Sequence, residues 1–138
     1  MKKILFVCKY NAFRSRVAEE YFNKINSKNK AISRGIIMGE DSDGVQRNIA
    51  KSILEVNITK RKPIPLTFQD MRNCDLIIVV ANDIPKIIFN YPLSSIQKKL
   101  IIWKIKDEQN RNEANIRKIV LTIKKKVDTL VKKLEKRK

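Results

Sequence analysis

The chain has 138 residues, enough for one domain with a real core, and 43% of them are hydrophobic, which excludes a disordered chain. It contains no histidine and only two cysteines. That excludes Cys–His dyads, Ser–His–Asp triads and histidine-based metal sites, and two cysteines so far apart do not read as a zinc site. The net charge is +17, from 31 Lys and Arg against 14 Asp and Glu. Such a charge suits nucleic acid, acidic lipid or an anionic substrate, but the excess is mostly lysine on helix faces with little aromatic interleaving, which reads as solvated surface. No apolar run reaches membrane-spanning length, and the start Met1-Lys2-Lys3 leads into a run too short for a signal peptide. The expected setting is reducing and cytoplasmic, with a single domain over residues 1–138.

Taken in chain order, residues 2–7 read as a strand buried on both faces, a continuous apolar run after two lysines. From Arg14 to about Ser27, Val17, Ala18, Tyr21, Phe22 and Ile25 recur at helical spacing. Between the apolar run Ile4-Leu5-Phe6-Val7 and that helical pattern lies Cys8-Lys9-Tyr10-Asn11-Ala12-Phe13-Arg14-Ser15, where a strand hands over to a helix. Open α/β sheets place ligands at that strand end, and free N–H groups at the helix start favour negative charge. A thiolate is the reactive form of cysteine, and such a field suits it. Arg14 offers a planar fork of donors to a tetrahedral oxyanion, the intervening N–H groups can form an anion nest, and Ser15 can donate to the sulfur. The chemistry this suggests is attack by sulfur on a bound phosphate-like group. The plainer reading of Cys8 is a small buried hydrophobe at a strand end.

Residues 31–37 read as a second strand in which Gly35 permits close backbone approach. A loop at 38–44 follows, then a helix through Val45, Ile49, Ala50, Ile53 and Leu54 capped by Ser42 or Asp43. Pro63 and Pro65 make residues 58–66 an extended connection, and Thr67 to Asp70 begin a short helical turn. Residues 75–80 are the strongest strand pattern in the chain. Asn82 is expected to cap a short helix that ends at Asn90-Tyr91-Pro92, with Asp83 contributing to the cap. Residues 99–105 form a fourth strand, 107–112 a polar loop, and about 112–133 a last helix whose stripe is Ile116, Ile119, Val120, Ile123, Val127, Leu130, Val131 and Leu134. Strands alternating with helices imply an α/β fold with a parallel sheet and helices on both faces.

Val7-Cys8-x-x-Asn11-x-x-Arg14-Ser15 resembles the phosphate loop of the low-molecular-weight protein tyrosine phosphatases, whose fold also serves thioredoxin-type arsenate reductases. Ser33-Arg34-Gly35, Asp70 and the segment from Cys74 to Val79 are similar to further parts of that family. The chain departs from the pattern at Tyr10 (usually glycine), Phe13 (often cysteine), Arg16 (usually proline) and Glu108 (usually proline), and Gln109 and Asn110 stand where aromatic residues are common. The resemblance implies a four-stranded sheet in the order 2-1-3-4 and a cysteinyl-phosphate mechanism, with no metal and no cofactor. Cys8 would be the nucleophile, Arg14 the phosphate clamp and Asp107 the acid, with Asp83 as runner-up. Lys9, Tyr10, Asn11, Ala12, Phe13 and Ser15 would complete the substrate loop. The expected substrate is a phosphorylated protein or a small phosphomonoester. An arsenate reductase using an external thiol, and a non-catalytic oxyanion or nucleic-acid binder, are the rival readings. Cys74 precedes one strand and Cys8 follows another; in parallel strands that separates them by roughly 17–20 Å, well beyond disulfide reach of about 7 Å between Cα atoms. Cys74 therefore reads as a buried apolar residue.

Overall fold

The computed structural model describes residues 1–59, 61–89, 94–108 and 112–136. The expected helix end at Asn90-Tyr91-Pro92 and the positions of Gln109 and Asn110 lie outside them. The elements run β1 (Lys3–Cys8), α1 (Arg14–Ile25), β2 (Lys30–Gly35), α2 (Gly44–Leu54), α3 (Phe68–Asn73), β3 (Leu76–Val80), a 3₁₀ turn (Lys86–Phe89), α4 (Ser94–Gln97), β4 (Leu100–Trp103) and α5 (Glu113–Lys136). All strand pairs are parallel, and the sheet order is β2-β1-β3-β4. The expected fold class and strand order are therefore observed.

Side-chain alternation splits the core in two. Ile4 and Phe6 of β1, with Ile78 and Val80 of β3, face α1, α2 and α5. Phe6 packs edge-on against Phe22 and lies beside Trp103. Leu5, Val7, Ile77 and Val79 face Met71, Phe89 and Ile96 on the other side. The α5 stripe read from sequence is the buried face of that helix, residue for residue. Burying a large aliphatic side chain is worth roughly 1.5–3 kcal/mol, so this stripe is a principal source of stability. Asp43 caps α2 in a reciprocal box with Gln46, and Thr67 does the same for α3 with Asp70.

Several boundaries differ from the sequence reading, β2 ending at Gly35 rather than Ile37 and α5 running on to Lys136, and two further differences shape the site. β4 stops at Trp103 because the chain bends there, with the Ile105 N–H donating to the Trp103 carbonyl at 2.8 Å. The bend turns the Ile105 carbonyl toward α1. After β3, regular structure begins only at Lys86, and Asn82 caps no helix. The Asn82 N–H donates instead to that same Ile105 carbonyl at 3.1 Å. The helix α4 had no counterpart in the sequence reading.

Candidate active site

Cys8 ends β1 and the next helix begins six residues later, so the connecting loop folds over the C-terminal edge of the sheet. The register pairs Cys8 with Gly35, and this close approach depends on glycine. A Cβ on Gly35 would meet the Tyr10 carbonyl carbon at 2.7 Å and the Asn11 nitrogen at 2.8 Å, distances real side chains do not reach. Asn11 takes a left-handed conformation, φ 55°, which asparagine tolerates better than most residues. No side chain caps α1, and its first turn holds no acid. The N–H groups there are left for an anion rather than for a cap.

The Cys8 sulfur lies 3.0 Å from the Ser15 hydroxyl. Asn11 Nδ2 donates to Ser15 Oγ at 2.8 Å and to Ser33 Oγ at 2.9 Å. Asn11 Oδ1 accepts from the Ile64 N–H at 3.0 Å and from Arg61 at 3.1 Å. Every hydrogen-bonding position of the Asn11 amide is thus used, which is what full burial of that side chain demands.

Arg14 is only 2% exposed. Its Nη1 donates to the Ile105 carbonyl at 2.9 Å, and its Nη2 sits 3.2 Å from Asp83 and 3.8 Å from Asp107. A buried guanidinium needs such partners. Asp83 thus does not serve a helix cap, as the sequence reading held; it is drawn to the arginine. Asp107 follows β4 and Asp83 follows β3, so both carboxylates come from C-terminal strand ends.

A cleft of about 280 Å³ opens over the loop, lined by Cys8, Tyr10, Ala12, Phe13 and Arg14 of the loop, by Asp107 and Glu108 after β4, and by Glu40, Asp41, Asp43 and Gln46. Tyr10 also supports the 38–44 loop, since a Cβ on Gly39 would meet its ring at 2.5 Å. Of the other expected loop residues, Asn11 and Ser15 lie fully buried behind the cleft. Lys9 lies off the cleft, with its ammonium over the Tyr10 ring and its carbonyl accepting from Ile36 and Ile37.

Sequence reasoning missed Arg61. Its guanidinium donates to Asn11 Oδ1, to both oxygens of Ser33 and to Glu19 Oε1, while its own carbonyl accepts from Arg16. Glu19 also accepts from Ser33 Oγ at 2.6 Å. Arg16 in turn pairs with Asp41 at 3.1 Å. Burial lowers the Arg16 pKa and Asp41 opposes that shift. Arg61 lies in the connection at 58–66, which the sequence marks only as extended; the unusual Arg16 is the one local sign of charge behind the loop.

A doubly wound parallel sheet with a cysteine before its first helix and a buried arginine beside it defines a class of thiol-centred α/β proteins. The sequence carries this further: residues 3–138 match the family described as low molecular weight phosphotyrosine protein phosphatase, and the chain belongs to that family. No curated protein matches the sequence significantly. Among solved structures, a mutant of YwlE from Bacillus subtilis is similar over 98% of this chain and 99% of its own, with TM-score 0.85 at 17% identity. A low molecular weight protein tyrosine phosphatase from T. tengcongensis gives 0.84 at 20% identity, covering 96% and 99%. An arsenate reductase from Archaeoglobus fulgidus gives 0.74 at 26% identity, covering 93% and 98%. Among the described residues, no helix is long and apolar enough to cross a membrane.

Proposed function

We propose that this chain is a phosphomonoesterase acting on phosphotyrosine in proteins through a cysteinyl-phosphate intermediate. The observation that carries this reading is the convergence of Cys8, Arg14 and Asp107 on one cleft, with the sulfur 3.0 Å from the Ser15 hydroxyl. In this reading the backbone N–H groups from Lys9 to Ser15 and the Arg14 guanidinium hold the equatorial phosphate oxygens, where charge builds in the transition state. The Cys8 thiolate, held by Ser15, attacks phosphorus in line. The phosphorus–oxygen bond to the leaving group breaks, and Asp107 gives its proton to that oxygen. Asp107 then takes a proton from water, whose oxygen attacks phosphorus, and the sulfur–phosphorus bond breaks to restore the thiolate. Asp83 keeps Arg14 aimed rather than serving as the acid, since Asp107 and not Asp83 lines the cleft with Cys8. Tyr10 is the aromatic side chain beside which a substrate ring can lie, whereas Phe13, at 3% exposure, packs into the core beneath the cleft. Cys74 stands at the far end of the sheet, which argues against arsenate reduction through an internal thiol relay; the route with an external thiol shares this loop and is separated from the phosphatase by a thiol-dependent arsenate assay.

The test compares wild type with Cys8→Ser and Asp107→Asn. Cys8→Ser should lower turnover of p-nitrophenyl phosphate by at least about 10³-fold, because no histidine is present to activate a serine. Asp107→Asn should cost roughly 10²–10⁴-fold in kcat/KM for phenyl phosphate. It should cost far less for p-nitrophenyl phosphate, whose leaving group needs no proton. Retained turnover in Cys8→Ser would rule out the covalent route, and equal losses on both substrates would move the acid role to Asp83.

A further inference from the structure

On the other side of Asp107 and Glu108 from the catalytic loop lies a second pocket, of about 350 Å³. Its apolar floor is Ile105 and Ile119, both buried. Three ammonium side chains, Lys104, Lys106 and Lys118, stand around it. Two come from the connection between β4 and α5 and one from the second turn of α5, where Lys118 shares a helix face with Asn115 and Thr122 at i−3 and i+4. None of the three ammonium groups has an ion-pair or hydrogen-bond partner among the described residues. The two acids in the lining are already engaged. Asp107 faces Arg14 and accepts from the Glu108 N–H, and Glu108 accepts from Asn115 Nδ2 at 2.7 Å. The pocket thus carries a net positive lining over an apolar floor, three ammonium groups against two carboxylates of which Asp107 is shared with Arg14, and its inner wall is shared with the catalytic cleft.

We propose that this pocket is a specificity subsite that takes an acidic side chain next to the phosphorylated residue of a protein substrate. The inference rests on the phosphatase reading above. In this proposal a substrate whose leaving oxygen meets Asp107 runs its chain past Asp107 and Glu108, the two residues that line both the catalytic cleft and this pocket, so that a neighbouring residue meets the three lysines. A glutamate fits on both counts: its methylenes cover the isoleucine floor and its carboxylate meets the ammonium groups. The general charge of the chain attracts any anion from a distance, but only a short-range site distinguishes one flanking residue from another.

The experiment uses phosphotyrosine peptides that differ only in their flanking residues, Glu, Gln or Lys within three positions of the phosphotyrosine. Binding is read by fluorescence anisotropy on Cys8→Ser, and kcat/KM on the active protein. Glu peptides should exceed Gln peptides by about three- to tenfold, and Lys peptides should rank last. The triple variant Lys104→Gln, Lys106→Gln, Lys118→Gln should flatten that ranking while leaving p-nitrophenyl phosphate turnover near wild type. A second triple variant with the same charge change, Lys125→Gln, Lys126→Gln, Lys133→Gln, on the groove between β4 and α5, should keep the ranking. The proposal falls if wild type shows no preference for Glu, if both triple variants lose it equally, or if unphosphorylated Glu peptides bind as tightly. Binding that follows the ranking without any turnover would sink the catalytic reading and leave the subsite standing.

Discussion

Cys8 and Cys74 lie at opposite ends of one parallel sheet, and both are buried, at 2% and 4% exposure. β1 and β3 pair in the register Ile4 with Leu76, so Cys74 stands level with the start of β1 while Cys8 closes its end. At the C-terminal end the groups around the sulfur suit an anion, an uncapped helix start, a serine hydroxyl and a buried guanidinium, while the carboxylates of Asp83 and Asp107 sit against that guanidinium. At the N-terminal end the thiol donates to the Met71 carbonyl, and burial pushes its pKa up, only partly opposed by Lys99. The two cysteines thus show that burial alone does not set the chemistry of a thiol. Strand direction decides which thiol meets helix N-termini and which meets the quiet end of the sheet.

The largest test of that contrast is oxidation. Mild peroxide should abolish activity by oxidising Cys8, and Cys74→Ser should change neither the rate of loss nor the starting activity beyond about twofold. Mass spectrometry of the treated protein should place the added oxygen on Cys8. An intramolecular bond between Cys8 and Cys74 would contradict the parallel register.

A smaller effect is expected from the support behind the loop. Arg61→Ala removes the donors that hold Asn11, Ser33 and Glu19 together and leaves the Glu19 carboxylate short of its cation. Breaking such a pair costs about 1–3 kcal/mol of stability, and the loosened loop should lower kcat by about tenfold with little change in KM. Arg61→Lys should recover stability better than kcat, because an ammonium cannot reproduce the planar fork. If kcat stays at the wild-type level in Arg61→Ala, the loop holds its shape without this network.

The smallest effect lies away from the site, where α1 meets α5. Tyr21 donates to Asp128 at 2.6 Å, and Lys124 pairs with the same carboxylate at 2.9 Å. Burial pushes the Asp128 pKa up, but the hydrogen bonds from Lys124 and Tyr21 outweigh it and hold the carboxyl below its ordinary value. A lowered folded-state pKa adds stability above the ordinary carboxylate range, and that stability is lost as pH falls through the folded value. Asp128→Asn should therefore cost about 0.5 kcal/mol near neutral pH. The difference from wild type in urea denaturation should vanish at acid pH, whereas a constant difference would mean that packing alone is at work. Activity should not change in this variant, in contrast with changes at Cys8, Asp107 and Arg61.

The sequence by itself determined the elements whose causes are local. The apolar run of β1, the α5 stripe and the Asp43 and Thr67 caps depend on periodicity and on side chains a few residues apart. The spacing from Cys8 through Asn11 and Arg14 to Ser15 also lies within one loop, so that part of the site was legible. Only the tertiary structure decided which distant charges meet it. Arg14 reaches the Ile105 carbonyl and Asp83, and Asn11 meets Arg61 and the Ile64 N–H, all of them far away in sequence. The bend after Trp103 and the use of Asp83 as an ion-pair partner follow from satisfying one buried guanidinium. A buried charge must find partners wherever the fold places them, and no local pattern records which strand ends a sheet will bring together.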